Sequence, residues 1–434
     1  MEDGKPYKVA IAGLGTVGVG VVKIIQTHND LLKTRGGRAL EITAVCARDK
    51  SKNRDCDVGA YDWYDDAVEM AEKTDADIFI ELIGGSEGTA KDAVVTALKA
   101  GRHVVTANKA LIAHHGFELA KLAEGKGVCL AYEAAVAGGI PVIKSIREGL
   151  GANQISSLHG ILNGTCNYIM TTMRETGRTF EDVLDEAQQL GYAEADPSFD
   201  VDGIDAAHKL AILASLSFGT KVDFDSVYVE GIRHITPVDI NFATELGYKI
   251  KLLGIAENTD KGIFQRVHPV MVPVDSPIAS VEGVYNAVVT QGDFVGTTVM
   301  EGRGAGEGPT ASAVMADVLD IAANRKPPVF GVSTSKLAEK KTLPMSECTG
   351  LYYVRLMVVD KPGVMADITA ALRDESVSLE AVIQRGRDPG APVAVVLTTH
   401  ETGEAEFRRA MDRIEKLEAV TEIPRLIRIA RFNH

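Results

Sequence analysis

Apolar residues in the first part of the chain form short runs, separated by stretches with the 3.6-residue period of a helix. The runs are Tyr7–Ala12, Glu41–Ala47, Ala76–Ile83, His103–Ala107 and Val128–Tyr132. Their length and continuity are typical of strands buried on both faces. Between two of them, Thr89–Ala100 has a helical pattern that stops at Gly101. Strands and helices that alternate in this way predict an α/β fold, with a doubly wound parallel sheet over residues 1–145.

The pattern changes at about residue 155, where a second α/β domain is predicted. The segments rich in β-branched residues are 227–235, 263–272 and 283–291, so this domain should contain its own sheet. It ends in the glycine-rich stretch Glu301–Pro309, which is either backbone lying against a ligand or a hinge. A helix over Thr310–Ala323 follows. We place a catalytic and dimerisation domain at 146–308 and expect 309–345 to return to the first domain.

Residues 350–434 predict a separate small module, joined by a polar linker at Ser333–Glu347. Its predicted strands are Leu351–Val359, Val377–Ile383, Val393–Thr399 and Ile423–Ile429, and its predicted helices are Val364–Arg373 and Glu404–Leu417. Glycines at Gly386–Gly390 separate the second strand from the third. The resulting βαββαβ order is the ferredoxin-like arrangement.

Composition narrows the class of protein. The chain has 434 residues, 45% of them hydrophobic, which is enough for about three domains. A net charge of −14 without a Lys/Arg run disfavours nucleic-acid binding. We find no signal-peptide core and no apolar stretch long enough to span a membrane, so the cytoplasm is the expected location. Five scattered cysteines without CxxC spacing favour reduced thiols over structural zinc.

A GxGxxG motif follows the first predicted strand. Gly13, Gly15 and Gly18 stand between Tyr7–Ala12 and a helical pattern, and a second strand follows. This is the context of a Rossmann-type dinucleotide-binding turn, in which a pyrophosphate rests on the helix N-terminus. The motif therefore predicts a nicotinamide cofactor site.

The end of the second strand indicates which nicotinamide is preferred. An acid there would bind the ribose 2′-hydroxyl of NAD, but Arg48 occupies the diagnostic place and Lys50 lies nearby. This favours NADP. NAD stays open because Asp49 adjoins Arg48 and the register of the strand end is not settled.

The segment Leu190–Gly219 combines an acidic loop with a lysine in an apolar helix. Lys209 lies in a helix with little solvent-facing surface, so we expect it in a cleft or interior. Asp205 precedes it by one helical turn, and the loop supplies four further acids: Glu194, Asp196, Asp200 and Asp202. Burial lowers a lysine pKa and nearby carboxylates raise it, and we expect the carboxylates to dominate. Lys209 would then be an ammonium that gives a proton to an oxygen, with spare acids to hold a cationic group of the substrate.

Two turns of the first domain add candidate ligands. Lys109 lies at the carboxyl end of the predicted strand His103–Ala107, where ligands of open α/β sheets bind, although a solvent-facing lysine is the alternative. Glu133 begins a turn of small residues that ends at Pro141. Its carbonyls and the Glu133 carboxylate suit a hard monovalent cation, and a plain strand-to-helix crossover is the alternative.

Five motifs in this order closely resemble the homoserine dehydrogenase family: AGLGTVGVGVV, ELIGG, TANKALIA, GYAEADPSFDVDGIDAAHKLAILA and GRGAGEGPTASAVMADV. The resemblance spans nearly the whole chain. The C-terminal module looks like an ACT domain, a small amino-acid-sensing unit that many long members of this family carry. The reaction implied is reversible hydride transfer between NAD(P)H and L-aspartate 4-semialdehyde, giving L-homoserine on the route to threonine, methionine and isoleucine.

The resemblance also implies residue roles. Lys109 and Lys209 would stand at the reacting centre, with Lys209 as proton donor and acceptor. The implied substrate-binding residues are Glu194, Asp205, Asp200 and Gly191. The implied cofactor-binding residues are Gly13, Gly15, Thr16, Val17, Gly18, Arg48, Lys50, Gly84, Thr106, Lys109 and Gly306. The implied sodium-type site comprises Glu133 and the carbonyls of Val136, Gly138 and Ile140.

For the ACT-like module, the hypothesis is allosteric feedback inhibition by L-threonine, motivated by the turn Asp360–Gly363 and the helix behind it. A dimerisation element without a ligand is the alternative. Modules of this kind pair edge to edge, so a homodimer or homotetramer is expected. Two other functions compete: an oxidoreductase of another amino-acid semialdehyde or hydroxy acid, and a catalytically inactive nucleotide-binding sensor.

Overall fold

The computed structural model describes residues 5–385 and 392–431. The first domain contains β1 (Tyr7–Ala12), α1 (Thr16–Gly36), β2 (Leu40–Cys46), β3 (Asp62–Tyr64), α2 (Ala67–Lys73), β4 (Ile78–Glu81), α3 (Thr89–Lys99), β5 (His103–Thr106), α4 (Lys109–Lys126) and β6 (Leu130–Ala131). All six strands are parallel, in the order β3-β2-β1-β4-β5-β6. The predicted doubly wound sheet is confirmed. The strand order reverses between β1 and β4, which places a ligand crevice at their carboxyl ends.

The second domain contains α5 (Val142–Lys144) with a π-helical turn (Ser145–Gly149), β7 (Ile155–Ile161), α6 (Gly164–Thr176), α7 (Phe180–Gln189), α8 (Ser198–Val201), α9 (Ile204–Phe218), β8 (Tyr228–Val229), α10 (Pro237–Glu245), β9 (Tyr248–Thr259), β10 (Gly262–Pro273), β11 (Tyr285–Gly292) and β12 (Gly296–Arg303). Helices α6 and α9 pack against its sheet. The apolar segment 227–235 is a strand only at β8, because its backbone leaves β10 after two residues to run along α8. β12 includes Glu301–Arg303 and α11 begins at Glu307, so the glycine-rich loop is shorter than predicted.

Helix α11 (Glu307–Ala322) follows β12 and packs on α1. A Cβ added at Gly20 of α1 would lie 2.9 Å from Cβ of Ala311, and one added at Gly36 would lie 3.1 Å from Cβ of Ala322. These two glycines therefore let the helices approach closely. Apolar residues of α11 share one core with those of β1 and α1.

The C-terminal module contains β13 (Thr349–Val359), α12 (Val364–Asp374), β14 (Leu379–Gln384), β15 (Pro392–Thr399), β16 (Thr402–Gly403), α13 (Glu404–Ile414) and β17 (Arg425–Ile429). Its main strands are antiparallel in the order β17-β13-β15-β14, so the βαββαβ prediction is confirmed. The glycine segment Gly386–Gly390 lies outside the described residues.

The C-terminal module has its own hydrophobic core, but its sheet continues the sheet of the second domain, which the sequence did not predict. Strand β17 pairs in parallel with β10 through Val270 with Arg428 and Met271 with Ile429. The predicted linker is also attached: Thr342 forms a β-bridge with Ile263. In residues 5–385 and 392–431, no helix has the length and hydropathy needed to cross a membrane. All five cysteines are free thiols, as their spacing indicated.

Candidate active site

The glycine turn after β1 leads directly into α1. Gly13 has φ +104°, and a Cβ added there would lie 2.5 Å from the carbonyl oxygen of Leu82. A Cβ added at Gly18 would lie 2.0 Å from the Gly13 carbonyl oxygen, so both glycines are required by packing. Around Gly15, by contrast, no heavy atom of the described chain lies within 4 Å of an added Cβ. Helix α1 begins at Thr16 without a side-chain cap, so its first amide groups suit a pyrophosphate.

The other predicted cofactor residues divide into open and buried positions. Val17 lies in the first turn of α1, Gly84 follows β4 with φ +88°, and Gly306 directly precedes α11 with φ +117°. Thr106 is fully buried, and its hydroxyl donates to Oε2 of Glu81 at 2.5 Å. Glu81 accepts the backbone N–H of Gly84 at 3.0 Å, so it shapes this loop. Sequence reasoning missed Glu81 because a buried strand-end acid has no local signal.

Arg48 and Lys50 lie on an exposed turn just beyond β2. The intervening Asp49 accepts hydrogen bonds from the backbone N–H and the hydroxyl of Ser51, at 2.8 and 2.7 Å. These bonds hold the pKa of Asp49 below its usual range. Asp49, which left NAD as an alternative, therefore forms hydrogen bonds within its own turn. The exposed cations Arg48 and Lys50 lie on either side of it.

Arg54 is a further cation here that sequence reasoning missed. Its guanidinium lies 5.4 Å from the ring centroid of Trp63, and its Nε donates to the carbonyl oxygen of Leu14 at 3.3 Å. Leu14 belongs to the glycine turn, so Arg54 joins the basic turn to the site suited for pyrophosphate. The sequence marks Arg54 only as the last basic residue of the segment RDKSKNR.

One buried carboxylate holds the two predicted catalytic lysines together. Oδ1 of Asp205 lies 2.9 Å from Nζ of Lys109, and its Oδ2 lies 2.7 Å from Nζ of Lys209. Lys209 also donates to the carbonyl oxygen of Leu162 at 2.7 Å. Lys109 begins α4 at the carboxyl end of β5, where the side chain of Asn108 caps the helix. Asp205 therefore contacts both Lys109 of the first domain and Lys209 of the second domain.

The predicted burial of Lys209 is confirmed, but the predicted direction of its pKa is wrong. Lys209 is 9% exposed, and burial together with the positive charge of Lys109 lowers its pKa below the ordinary value. Asp205 opposes this shift without overcoming it. Lys109 shows the opposite balance: burial would lower its pKa, but the carboxylates raise it. The two ammoniums hold the pKa of Asp205 far below its usual range, although burial alone would raise it.

Asn163 is a further site residue that sequence reasoning missed. Its Nδ2 donates to Asp200 at 2.8 Å and to Asp205 at 2.9 Å, and the residue is 5% exposed. Its Oδ1 accepts the N–H of Cys166 and so caps α6. Burial and the charge of Asp205 raise the pKa of Asp200. The only sequence signal was the helix start in LNGT.

The remaining loop acids divide between the site and other partners. Glu194 is exposed between α7 and α8, and its charge contributes to the raised pKa of Lys109. Gly191 lies in the same loop with φ +75°. Asp196 accepts an N–H at the start of α8, and Asp202 pairs with Arg233 at 2.5 Å. Asp196 and Asp202, which we expected within reach of Lys209, therefore have other partners.

The predicted cation turn surrounds a buried carboxylate. Glu133 is 1% exposed, and its two oxygens each accept a backbone N–H at the start of α5, from Ile143 and Lys144 at 2.9 Å. Burial and the nearby Asp317 raise the pKa of Glu133 to about 7. Lys144 pairs instead with Asp317, at 3.2 Å, and with Asp320.

The three carbonyl residues of this turn lie between Glu133 and α5. Val136 is fully buried, and Gly138 has φ +50°. A Cβ added at Gly138 would lie 2.3 Å from the carbonyl oxygen of Gly304, so the turn packs directly on the glycine-rich stretch. The carbonyl oxygen of Ile140 accepts the N–H of Val142 at 2.7 Å.

A glycine turn at the switch point of a parallel sheet, with two lysines on a buried acid between two domains, defines a nicotinamide-dependent dehydrogenase. Three family models match the chain: the NAD-binding domain of homoserine dehydrogenase over residues 13–133, homoserine dehydrogenase over residues 141–319 and the ACT domain over residues 352–419. The homoserine dehydrogenase of Pseudomonas aeruginosa is 46% identical over 99% of this chain and 100% of its own. That of Bacillus subtilis is 40% identical over 98% of both chains.

Solved structures agree. A homoserine dehydrogenase from Thiobacillus denitrificans superposes with a TM-score of 0.93 at 43% identity, covering 99% of both chains. A hyperthermophilic archaeal homoserine dehydrogenase in complex with NADPH gives a TM-score of 0.65 at 28% identity, covering 75% of this chain and 100% of the other. The chain belongs to the homoserine dehydrogenase family and is an NAD(P)-dependent oxidoreductase that acts on a CH–OH group.

Proposed function

We propose that Lys209 passes the proton and Lys109 stabilises the oxygen in the interconversion of L-aspartate 4-semialdehyde and L-homoserine. The observation that carries this proposal is the shared carboxylate: both ammoniums contact Asp205, at 2.9 and 2.7 Å. A bound nicotinamide supplies the hydride that reduces the aldehyde carbon. The proton of Nζ of Lys209 then moves to the aldehyde oxygen, which becomes the hydroxyl of homoserine.

The electrostatics suit these two roles. A lowered pKa makes Lys209 a better proton donor, because it lies closer to the working pH. A raised pKa keeps Lys109 charged, so it stabilises negative charge that develops on the oxygen. Glu194, Asp200 and Gly191 line the acidic side of the site, and the two acids pair with the α-ammonium of the substrate. Oxidation of homoserine by the purified chain tests the proposal, and faster turnover of another hydroxy amino acid would contradict it.

We infer that NADP is the preferred cofactor. Arg48 and Lys50 are exposed just beyond β2, and Asp49 is turned into its own loop. A ribose 2′-phosphate would therefore meet cations rather than a carboxylate. Kinetics with both nicotinamides measure the preference. Arg48→Glu should reverse it, and an unchanged NADP/NAD ratio of kcat/KM would exclude this role of Arg48.

We propose L-threonine as the effector of the ACT domain. The support is the turn Asp360–Gly363, where Gly363 has φ +97° and directly precedes α12. Threonine should inhibit the full chain, and Gly363→Val should weaken the inhibition because valine strains this backbone. Inhibition of equal strength in both proteins would place the effector elsewhere. If threonine neither binds nor inhibits, the module serves assembly alone.

We infer a homo-oligomer, a dimer or tetramer, that pairs through β14. One edge of the ACT sheet is already occupied by β10, whereas β14 ends the described sheet. An exposed edge strand is a template for a second copy. Light scattering should give more than one chain per particle. A proline in β14 should reduce this number, and an unchanged number would exclude that edge.

We propose a sodium-type cation at the Glu133 turn. The support is the buried Glu133 carboxylate, which accepts the backbone N–H groups of Ile143 and Lys144, while the ammonium of Lys144 pairs with Asp317 and Asp320 instead. A monovalent cation would keep Glu133 ionised. The melting temperature should be higher in sodium chloride than in choline chloride, and Glu133→Gln should remove the difference. Equal melting of the native chain in both salts would contradict this proposal.

A further inference from the structure

Phe199 is an exposed apolar side chain at the edge of the candidate active site. It is 42% exposed, although it lies in α8 directly before Asp200. Nζ of Lys109 lies 5.4 Å from the centroid of its ring. Phe199 belongs to the second domain and Lys109 to the first, so this contact spans the cleft between them.

The ring of Phe199 has a packed aromatic support. His208, which is 4% exposed, lies 5.6 Å from it between ring centroids. His208 in turn stacks on Phe224, at 4.2 Å and 19°. Its Nε2 lies 3.3 Å from Nε2 of His114, on the same helix as Lys109. The aromatic support is therefore anchored in both domains.

The backbone beside Phe199 is also held on both sides. The hydroxyl of Ser198 accepts a hydrogen bond from the guanidinium of Arg233 at 3.0 Å, and Asp200 accepts one from Asn163 at 2.8 Å. These bonds fix α8 and hence the direction in which the ring leaves the backbone. Phe199 is therefore exposed although the backbone on both sides of it is held in place by hydrogen bonds.

We propose that Phe199 is a positioning residue for the homoserine dehydrogenase reaction, whose ring face holds the ammonium of Lys109 on Asp205. An ammonium is attracted to the face of an aromatic ring, and more strongly where water is partly excluded. Lys109 has a flexible four-carbon stem and is 32% exposed, so Asp205 alone leaves it free to turn towards solvent. The carboxylate of Asp205 and the ring of Phe199 together hold the Lys109 ammonium in one position. This inference rests on the role proposed above for Lys109.

The matched variants are Phe199→Leu, which keeps the apolar volume without a ring face, and Phe199→Tyr, which keeps both. Phe199→Leu should lower kcat for homoserine oxidation about five-fold, with KM for homoserine changed less than about two-fold. Phe199→Tyr should stay within about two-fold of the native kcat. Phe294→Ala, at a phenylalanine 89% exposed in the β11–β12 turn, is the control for loss of a surface ring. Because these rings are exposed, all variants should melt within about 2 °C of the native chain.

The coupling of Phe199 to Lys109 separates this inference from the proposed function. In a Lys109→Met background, Phe199→Leu should cause no further loss of residual turnover, because the ammonium that the ring holds is gone. A five-fold loss in both backgrounds would show that Phe199 acts elsewhere, and native kcat in Phe199→Leu would also overturn the inference. Near-native turnover of Lys109→Met alone would instead remove the proposed role of Lys109.

Discussion

Asp205 organises the candidate active site at the scale of a single residue. Its carboxylate contacts the ammoniums of Lys109 and Lys209 and the amide of Asn163, all within 2.9 Å. The two ammoniums therefore lie together where the substrate oxygen is expected to bind. Because the pKa of Asp205 is far below its usual range, this residue is a carboxylate throughout the neutral range of pH.

Asp205→Asn removes the charge but keeps the shape of the side chain. Asp205 raises the pKa of Lys209 against burial, so its loss should lower that pKa further. Aldehyde reduction needs the ammonium form, so the basic limb of its pH–rate profile should move to lower pH. Turnover at neutral pH should fall about 100-fold or more. Asp75→Asn, which alters an exposed pair with Lys8, is the control and should leave both quantities unchanged. An unmoved basic limb in Asp205→Asn would contradict this account.

Helix α9 holds two charged residues of the site in the interior of the protein. All its residues except Ile204 and Ser217 are buried, so it presents Asp205 and Lys209 inside the protein rather than on its surface. It also buries His208, whose pKa is lowered to about 4 by burial and by the neighbouring His114. The neutral imidazole is the form that the folded chain favours.

The burial of His208 predicts a loss of stability in acid. In the unfolded chain a histidine binds a proton below about pH 6.5, whereas in the folded chain it does so only below about pH 4. Stability is therefore unaffected at pH 7 and falls as the pH drops through 6.5, by about 2 kcal/mol at pH 5. His208→Gln should reduce this pH dependence by that amount, as measured by denaturant unfolding at pH 7 and pH 5. Equal pH dependence in the two proteins would show that His208 is protonated in the fold.

Elements with a strong local pattern could be predicted from the sequence, and long-range contacts could not. Strand β1, helix α9 and the βαββαβ module follow from periodicity and turn residues within a few positions of one another. Strand β9 was missed because nothing in its own residues marks its pairing with β10. The pairs of Asn163 with Asp205 and of Glu81 with Thr106 join residues 42 and 25 positions apart, so no spacing rule reveals them. The pKa of Lys209 depends on Lys109, 100 positions earlier, for the same reason.

At the scale of the whole molecule, the ACT domain is built into the second domain. Strand β17 extends its sheet through β10, and Arg355 of β13 pairs with Asp239 of α10 at 2.8 Å. Both members of this pair are nearly inaccessible, at 5% and 1% exposure. A second buried cation, Arg428 of β17, pairs with Glu230 at 3.0 Å. Removal of the ACT domain would therefore take away the cationic partners of the buried Asp239 and the partly buried Glu230 of the second domain.

Arg355→Met tests this junction without removing the domain. It leaves the buried Asp239 without its guanidinium partner and should lower the free energy of unfolding by about 3 kcal/mol. Arg373→Met is the matched control, because Arg373 is 75% exposed and pairs with Asp374 on the surface. Its effect should stay below about 1 kcal/mol. Similar values for the two variants, from denaturant unfolding, would show that the junction adds little to stability.

The most direct test of the central claim is the turnover of Lys209→Ala, measured together with its affinity for NADPH. The account predicts a kcat at least about 100-fold below the native value, because the group that exchanges a proton with the substrate oxygen is lost. The dissociation constant for NADPH should remain within about three-fold of native, since the glycine turn at the start of α1 is untouched. A kcat within ten-fold of the native value, with NADPH bound normally, would contradict the role of Lys209.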